Sequence, residues 1–578
     1  MSGLSALPRP VPGPPGAGSP GGGSPGSPAP GAPPQAVPGR RESVVTATGI
    51  FAFSLLFRVW AAAIVSFPRP EDTAYYVGVA RNLVTGRGLV SDAIWSYGTP
   101  PLEFPRPAFE VWLPLPSFLS SLPMALFGPT FGAAQWSSVI VGAVVAALAW
   151  RLAADVAADL DLPPFRARSL AIGAGLTAGV YLPLVLHSAL PDSTMPFAAL
   201  SLAAGLLMAR IVRDPAGARP TDRRVLVLGL VLGLAALTRN EAAWLALAWA
   251  VAAFGASRGW RDWTRLVGGT AAVAFLVFAP WAARDWLTFG SPFPGQALAN
   301  ALSLDGRDIF AYAEPPTLER YLGAGVGTLV GQRVTALLHN LLDVLVVPGI
   351  PISLFGLAGL GSMLRLVAVR PLVIAAVITF GVTTLVFPVA TTWGTYLHAA
   401  GAVGVLLVIG ALLALDRLLE VIGGFRGWNR PVAWLAPTLT VAAGLLISLV
   451  LLLGFGADGR RTAAKYAALE TVLASAGERL GPDHPPVITD FPIWLAEETG
   501  VRALALPDES PASAAALAGR FGATLLIVDA DNGGRWPEIL DAGDPEAACF
   551  HPLTLGTVVD PTAAELLRAV LVYRIECR

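Results

Sequence analysis

Long apolar runs separated by short polar turns fill most of the chain. The first runs from Val44 to Phe67, behind Arg40 and Arg41. Others fall near 131–153, 168–189, 193–212, 224–238, 241–257, 265–285, 334–364, 371–390, 397–416 and 432–456. A helix needs about 20 apolar residues to cross a bilayer, and most of these runs have close to that number. The 224–257 stretch could pass for one long span, but Thr238-Arg239-Asn240-Glu241 stands in its middle. Two charges at the bilayer centre are costly, so two spans are expected there, with the tetrapeptide at a membrane surface. The pattern predicts an α-helical polytopic membrane protein with about eleven spans. The first run, at about 24 residues, is longer than a signal-peptide core and reads as a signal anchor. Cleavage near Ala61-Ala62-Ala63 is the alternative.

Arginine placement gives an orientation. Starting with Arg40 and Arg41 inside, alternate turns hold Arg151, Arg166 and Arg168; Arg210, Arg213, Arg219, Arg223 and Arg224; Arg258, Arg261 and Arg265; Arg365 and Arg370; and Arg417, Arg426 and Arg430. The turns around Pro191 and Trp393 carry no Arg or Lys. This positive-inside pattern predicts a cytoplasmic N-terminus and an extracytoplasmic C-terminus in a cell inner or plasma membrane. Two outward loops are long, about 68–129 and about 285–333, and loops of that length are usually functional. Within the first, the Pro-interrupted stretch Val111 to Phe127 is expected as interfacial helices.

The ends differ from the middle. Residues 1–40 hold 12 Pro and 10 Gly, so residues 1–43 are expected to be a disordered cytoplasmic tail. Residues 44–456 form the transmembrane domain. From about Ala457 the composition becomes that of a soluble domain, 457–578. There Val487-Ile488-Thr489, Leu525-Leu526-Ile527-Val528 and Val570 to Ile575 read as strands, and Ser513 to Phe521 as a helix. That alternation suggests a small extracytoplasmic α/β layer domain. No glycine-rich nucleotide motif accompanies it. Cys549 and Cys577 lie in this outward segment, where a disulfide can persist; pairing is expected, with two buried thiols as the alternative. Only 14% of residues are charged and the net charge is -1, so nothing suggests a nucleic-acid partner.

Candidate chemistry gathers on the outward face. Glu71-Asp72 opens the first loop, followed by Tyr75-Tyr76, Arg81 and Arg106. Pro191-Asp192-Ser193 forms a short turn, in which Asp192 also suits a helix cap. Arg239 and Glu241 read as an ion pair at the membrane surface, and Arg284 as a snorkelling cation or an anion ligand. His398, at a span end, is structural or lines a cavity. Together, two carboxylates on separate outward turns could serve as general bases, and arginines at the same level could hold a lipid phosphate.

The motifs Glu71-Asp72 to Tyr75-Tyr76, Ala80-Arg81-Asn82-Leu83 to Gly86-Arg87-Gly88-Leu89, Pro105-Arg106-Pro107 to Trp112-Leu113-Pro114-Leu115, Pro191-Asp192, Gly233-Leu234-Ala235 to Leu237-Thr238-Arg239, and Pro280-Trp281 to Arg284 with Phe289-Gly290 stand in an order that resembles the C-type (GT-C) membrane glycosyltransferases. These include the family 39 protein O-mannosyltransferases and the aminoarabinose transferases, which use polyprenyl-phosphate sugars. The resemblance covers about 44–456. It implies that Asp72 is the catalytic base, with Glu71 the competing assignment, and that Asp192 is the second acid. It implies that Arg239, Arg284 and Arg81 hold the donor phosphate. Tyr75, Tyr76, Arg106, Glu241 and His398 would line the cavity. The chain departs from the pattern in having Glu-Asp where Asp-Glu or Asp-Asp is usual, and Asp285 where many relatives have Asn.

The function so implied is inverting transfer of a sugar from a polyprenyl-phosphate donor to a lipid, glycan or protein acceptor, on the extracytoplasmic face of the bilayer. A divalent ion between Asp72 and Asp192 is an option. With two carboxylates and no histidine beside them in sequence, Mg²⁺ or Mn²⁺ is expected over Zn²⁺. The competing readings are a lipid-linked-sugar flippase, which would place polar groups at the midplane, and a non-catalytic scaffold or sensor.

Overall fold

The computed structural model describes residues 40–214, 221–347, 349–428, 432–532, 534–555 and 560–577. The expected tail, apart from residues 40–43, and Arg219 and Arg430 lie outside these residues. The helices in the first two-thirds of the chain are α1 (Arg40–Ile64), α2 (Glu71–Val84), α3 (Leu115–Phe127), α4 (Phe131–Asp159), α5 (Pro164–Val180), α6 (Leu182–Ala189), α7 (Thr194–Arg213), α8 (Arg223–Ala236), α9 (Ala242–Ala256) and α10 (Trp260–Phe289). They continue with α11 (Ala297–Leu302), α12 (Leu318–Gly323), α13 (Gly325–Leu345), α14 (Ile350–Met363), α15 (Arg370–Leu385), α16 (Pro388–Thr392), α17 (Thr395–Ala399), α18 (Gly401–Phe425) and α19 (Leu435–Ser475). Among the described residues, α1, α4, α7, α10, α18 and α19 are each long and apolar enough to cross a membrane. The pairs α5–α6 and α13–α14 also qualify, each taken together, with bends of 47° and 98°. The protein is therefore a multi-pass membrane protein. Leu56, Phe275, Leu276 and Leu446 remain exposed on its flanks, where lipid would cover them.

Where spans meet, small residues let backbones touch. A Cβ at Gly359 of α14 would fall on the carbonyl of Gly410 in α18, so this crossing admits no side chain there. The expected break between α8 and α9 lies at 237–241, around the charged tetrapeptide. The break between α5 and α6 has a covalent cause. Pro183 has no N–H, which leaves the Gly179 carbonyl without its helical donor. Arg58, fully buried in α1, supplies the replacement: its Nη1 donates to Gly179 O (2.7 Å) and its Nη2 to Ala178 O (3.0 Å). Ser448 donates to Val180 O at 2.5 Å.

The C-terminal part is an α/β layer, as the alternation of strands and helix predicts. Its strands are β4 (Val487–Thr489), β5 (Ala503–Ala505), β6 (Leu525–Asp529), β7 (Phe550–Pro552) and β8 (Val570–Ile575), interleaved with α20 (Pro492–Thr499), α21 (Pro511–Phe521), α22 (Trp536–Asp541) and α23 (Pro561–Leu566). The first loop holds β1 (Val90–Ser91), β2 (Ala93–Ile94) and β3 (Arg106–Pro107). The large sheet has the order β2-β5-β4-β6-β8-β7, so the first loop supplies its edge strand. The strands β2, β5, β4 and β6 run parallel, β8 returns antiparallel to β6, and β7 is antiparallel to β8 in turn. Alternation divides the strands between two cores. Ile488, Leu504 and Leu526 pack with Leu517 and Trp536, while Val487, Ala503 and Leu525 pack on Tyr466, Leu469 and Leu473 of α19. The long helix α19 thus runs without a break through 456/457 and serves as one layer of the sheet domain. Cys549 and Cys577 form a disulfide.

Candidate functional site

Three short polar segments meet at one end of the bundle. The first is the start of α2. Pro70 precedes it, and Glu71 and Asp72 occupy its first turn, where the helix dipole favours carboxylates. Thr73 N donates to Asp72 Oδ1 at 2.8 Å. The second is the turn between α6 and α7. Asp192 Oδ1 accepts from Thr194 N at 2.7 Å, so this acid satisfies the first amide of α7 from one position before the N-cap, Ser193. The third is α17, reached through Gly394, whose φ of 93° suits a residue without a side chain.

His398 of α17 joins the other two segments. Its Nε2 lies 3.5 Å from Asp72 Oδ2 and its Nδ1 lies 3.9 Å from Asp192 Oδ2. The same Nδ1 is 2.7 Å from Thr194 Oγ1. On the far side of Asp192, His187 Nδ1 is 3.0 Å from Oδ2. Arg239 completes the group from the α8–α9 break. Its Nη1 donates to Ser193 Oγ (2.7 Å), while Nε and Nη2 hold Glu241 at 3.1 and 2.9 Å. Tyr76 is buried beside Arg239, Asp72 and Ser193.

Burial, reinforced by the Asp192 charge, pushes Asp72 up to about 7 against the opposing pull of His187 and Arg239. Burial also raises Glu71, to about 8, even though the backbone amides of Ile493 and Trp494 oppose it. Asp192 goes the other way. Burial alone would raise it, but His187, His398 and the Thr194 amide outweigh that and hold it below the usual carboxylate range. The two aspartates therefore differ in proton affinity, which separates a base from a fixed anion.

Glu71, Asp72, Arg239 and His398 line a cavity of about 460 Å³ that is walled by both long loops and by Phe491, Ile493 and Trp494. A narrow apolar cleft lies beside His187 and Thr194, lined among others by Leu184, Leu397 and Leu407.

The other expected site residues stand elsewhere. Arg81 is spent on Glu497, with two bonds of 2.8 and 2.7 Å, and lines a separate pocket of about 210 Å³. Arg284 pairs with Asp285 at 2.8 Å and lies over the Trp281 and Phe289 rings, outside the cavity lining. These two replace the expected phosphate contacts with partners of their own. Arg106 has no exposure, donates to the Thr99 and Pro101 carbonyls and faces Glu110. Tyr75 bonds to Glu110 and to Phe109 N in the core of the first loop. Both hold the loop together. Glu241 is buried against Arg239.

Beside the expected Asp72 and Asp192 pair stands a second candidate ligand set. His187, Asp192 and His398 offer ligand atoms that all lie within 4.8 Å of one another. Two imidazoles and a carboxylate suit Zn²⁺ or Mn²⁺ better than Mg²⁺, which favours oxygen. His187 went unnoticed because it sits inside an apolar run. Its one signal is its place five residues before Asp192. The aromatic wall also escaped notice, because its members come from distant stretches.

No protein-family profile and no curated protein matches this sequence. Solved structures do match it. ArnT from Cupriavidus metallidurans, bound to undecaprenyl phosphate, superposes with a TM-score of 0.55 at 12% identity, covering 91% of this chain and 97% of that one. The Archaeoglobus fulgidus oligosaccharyltransferase in its apo form gives 0.51 at 14%, covering 89% and 73%. The same enzyme tethered to an acceptor peptide gives 0.50 at 15%, covering 89% and 72%. At such identities the likeness is one of fold. The chain is a multi-pass membrane protein with the GT-C fold.

Proposed function

We propose that this protein is a membrane glycosyltransferase that moves a sugar from a polyprenyl-phosphate donor to an acceptor hydroxyl at the extracytoplasmic face, with inversion. The observation that carries this reading is the convergence of Asp72, His398 and Arg239 on one cavity, with Asp192 buried behind His398 and an apolar cleft alongside. The undecaprenyl phosphate held by a protein of this fold agrees with a lipid-phosphate donor.

Asp72 takes the proton from the acceptor hydroxyl. With its pKa near 7, this carboxylate is substantially ionised at neutral pH yet basic enough to accept a proton. The acceptor oxygen forms a bond to the anomeric carbon as the bond from that carbon to the phosphate oxygen breaks. The phosphate leaves with the electron pair, and Arg239, which is paired with Glu241 but, unlike Arg81 and Arg284, lines the cavity, stabilises the added charge. Asp192, kept anionic, fixes His187 and orients Thr194. A divalent ion, when bound by His187, Asp192 and His398, would supply positive charge for holding the phosphate or the acceptor.

The test is transfer from radiolabelled polyprenyl-phosphate sugars in membranes, comparing wild type with Asp72→Asn at equal expression. Transfer that disappears in the variant supports both the class and the base. Transfer that persists moves the base to Glu71 or Asp192. Absence of transfer from every donor, in both proteins, sinks the reading.

A further inference from the structure

Four of the chain's 16 tryptophans, Trp95, Trp112, Trp393 and Trp494, line the cavity above Asp72, together with Phe310 and Phe491. They form three pairs. Trp95 and Trp112 stack at 4.3 Å, Phe491 and Trp494 lie 4.6 Å apart and tilted, and Phe310 meets Trp393 edge-on at 5.9 Å. The pairs come from separate places: the first loop, the entry to α20 in the sheet domain, and the second loop with the α16–α17 turn. Trp95, Trp112, Phe310 and Trp494 also pack in the core of the first loop, and Trp393 is the ring that core packing does not account for. Trp393 is 55% exposed.

The charges around these rings exclude several kinds of ligand. Arg69 pairs with Asp458 at 2.7 Å and Arg239 with Glu241 at 2.9 Å. Asp72 and Asp305 add carboxylates to the lining, and Glu71 a mostly neutral carboxyl. With both lining arginines already in ion pairs, a uronic acid or an acidic peptide is disfavoured at the acceptor end. A peptide bound by strand addition would need an open sheet edge. The edge strand from the first loop, β2, has only two residues, and both are buried. A neutral, hydroxyl-rich ring fits better. Its C–H face lies on an indole, its hydroxyls donate to carboxylates, and the cavity is within the ~300–1,000 Å³ of small-molecule sites.

We propose that this aromatic cavity is the acceptor subsite and that the acceptor is a neutral saccharide. Its terminal hydroxyl would point to Asp72, and the sheet domain would grip it through Phe491 and Trp494. The assignment of this end as the acceptor's rests on the glycosyltransferase reading above.

The experiment uses the full chain in lipid nanodiscs. Saturation-transfer NMR would be recorded with neutral gluco-, manno- and arabino-trisaccharides, an acidic trisaccharide and a neutral peptide. Undecaprenyl phosphate binding would be measured separately. The expected result is saturation transfer to at least one neutral trisaccharide. Binding should be about tenfold weaker in Trp494→Ala and Trp393→Ala, retained in Trp393→Phe, and accompanied by unchanged undecaprenyl phosphate binding. Because Trp393 is largely exposed, its variants test the ring without disturbing the core. No neutral-saccharide signal from protein that still binds undecaprenyl phosphate overturns the acceptor proposal and leaves the donor reading standing. Preference for the peptide or the acidic saccharide overturns it as well. Saccharide binding with no undecaprenyl phosphate binding has the opposite effect: the subsite stands and the donor reading falls.

Discussion

Arg81 and Glu497, 416 positions apart in sequence, hold each other through two parallel N–H···O bonds of 2.8 and 2.7 Å. The pair fastens α2, which carries Glu71 and Asp72, to α20, which carries Ile493 and Trp494. The strand β2 makes a second attachment between the same regions. The first long loop and the sheet domain are thus joined at two places beside the cavity.

Breaking the pair from one side should be costly. Glu497 has a 6% exposed side chain, so Arg81→Met strands a buried carboxylate. The loss should be about 1–3 kcal/mol, below the range for fully buried pairs because Arg81 is partly solvated. The double variant Arg81→Met with Glu497→Gln should recover part of it. Thermal unfolding of the four proteins closes the cycle. Additive losses would mean that the two residues act independently.

The two adjacent acids should behave differently. Glu71, raised to about 8, is mostly neutral at pH 7 and cannot serve as the base there. Asp72, near 7, can. Glu71→Gln copies the neutral form and should keep the rate within about threefold, whereas Asp72→Asn should lose about 10²–10⁴-fold. The sign for pH follows from the base being active when ionised, so the rate climbs with pH through about 7. Asp192→Asn removes a charge that raises Asp72, and its residual rate should climb at lower pH. An unmoved limb, or a dead Glu71→Gln, would reverse the assignment.

Much of this was legible in the sequence, and the failures have physical reasons. The break at Thr238–Glu241 could be read because charge in lipid is costly, and β8 because six apolar-rich residues alternate. The strand β2 could not be read. Two residues carry no periodicity, and their partner β5 lies some 400 positions away. The change of composition near Ala457 marks an exit from lipid, but helix-forming Ala, Leu and Glu continue, so α19 does not end there. Arg81 and Arg284 matched a motif, yet a motif does not show which acid already occupies a guanidinium. Asp72 and Asp192 stand out in the sequence because each lies at a polar turn. His187, buried in an apolar run, was found only once the α5–α6 bend placed it beside Asp192.

That histidine would favour Zn²⁺ over Mg²⁺ if the ligand set takes a metal. With His187, Asp192 and His398 as ligands, the purified protein should take up one equivalent of Zn²⁺ in preference to Mg²⁺. His187→Ala and Asp192→Asn should each weaken uptake by at least about tenfold, and Asp72→Asn much less. Isothermal titration checks this. Mg²⁺ binding with equal affinity, or Zn²⁺ binding indifferent to His187, would remove the site.

Arg58 underlies the whole arrangement. It is fully buried within a span, and an ionisable group in such a place usually has a specific task. Its task here follows from its bonds. Besides the carbonyls of Ala178 and Gly179, it donates through Nε to Ser188 Oγ at 2.9 Å and through Nη1 to Ser54 Oγ. Ser188 adjoins His187, so the guanidinium fixes both the bend and the start of the turn that ends at Asp192. Arg58→Leu leaves two carbonyls without donors and should cost on the order of 2–4 kcal/mol, measured by thermal unfolding in nanodiscs. Arg58→Lys keeps one donor and should cost less. Ser188→Ala takes the acceptor from Arg58 Nε and leaves both carbonyl bonds in place. It should cost about 1 kcal/mol, less than Arg58→Leu, while weakening Zn²⁺ uptake, because His187 is no longer held from behind. Loss of stability without loss of uptake in Ser188→Ala would mean that Arg58 supports the bend alone and has no part in placing the histidine.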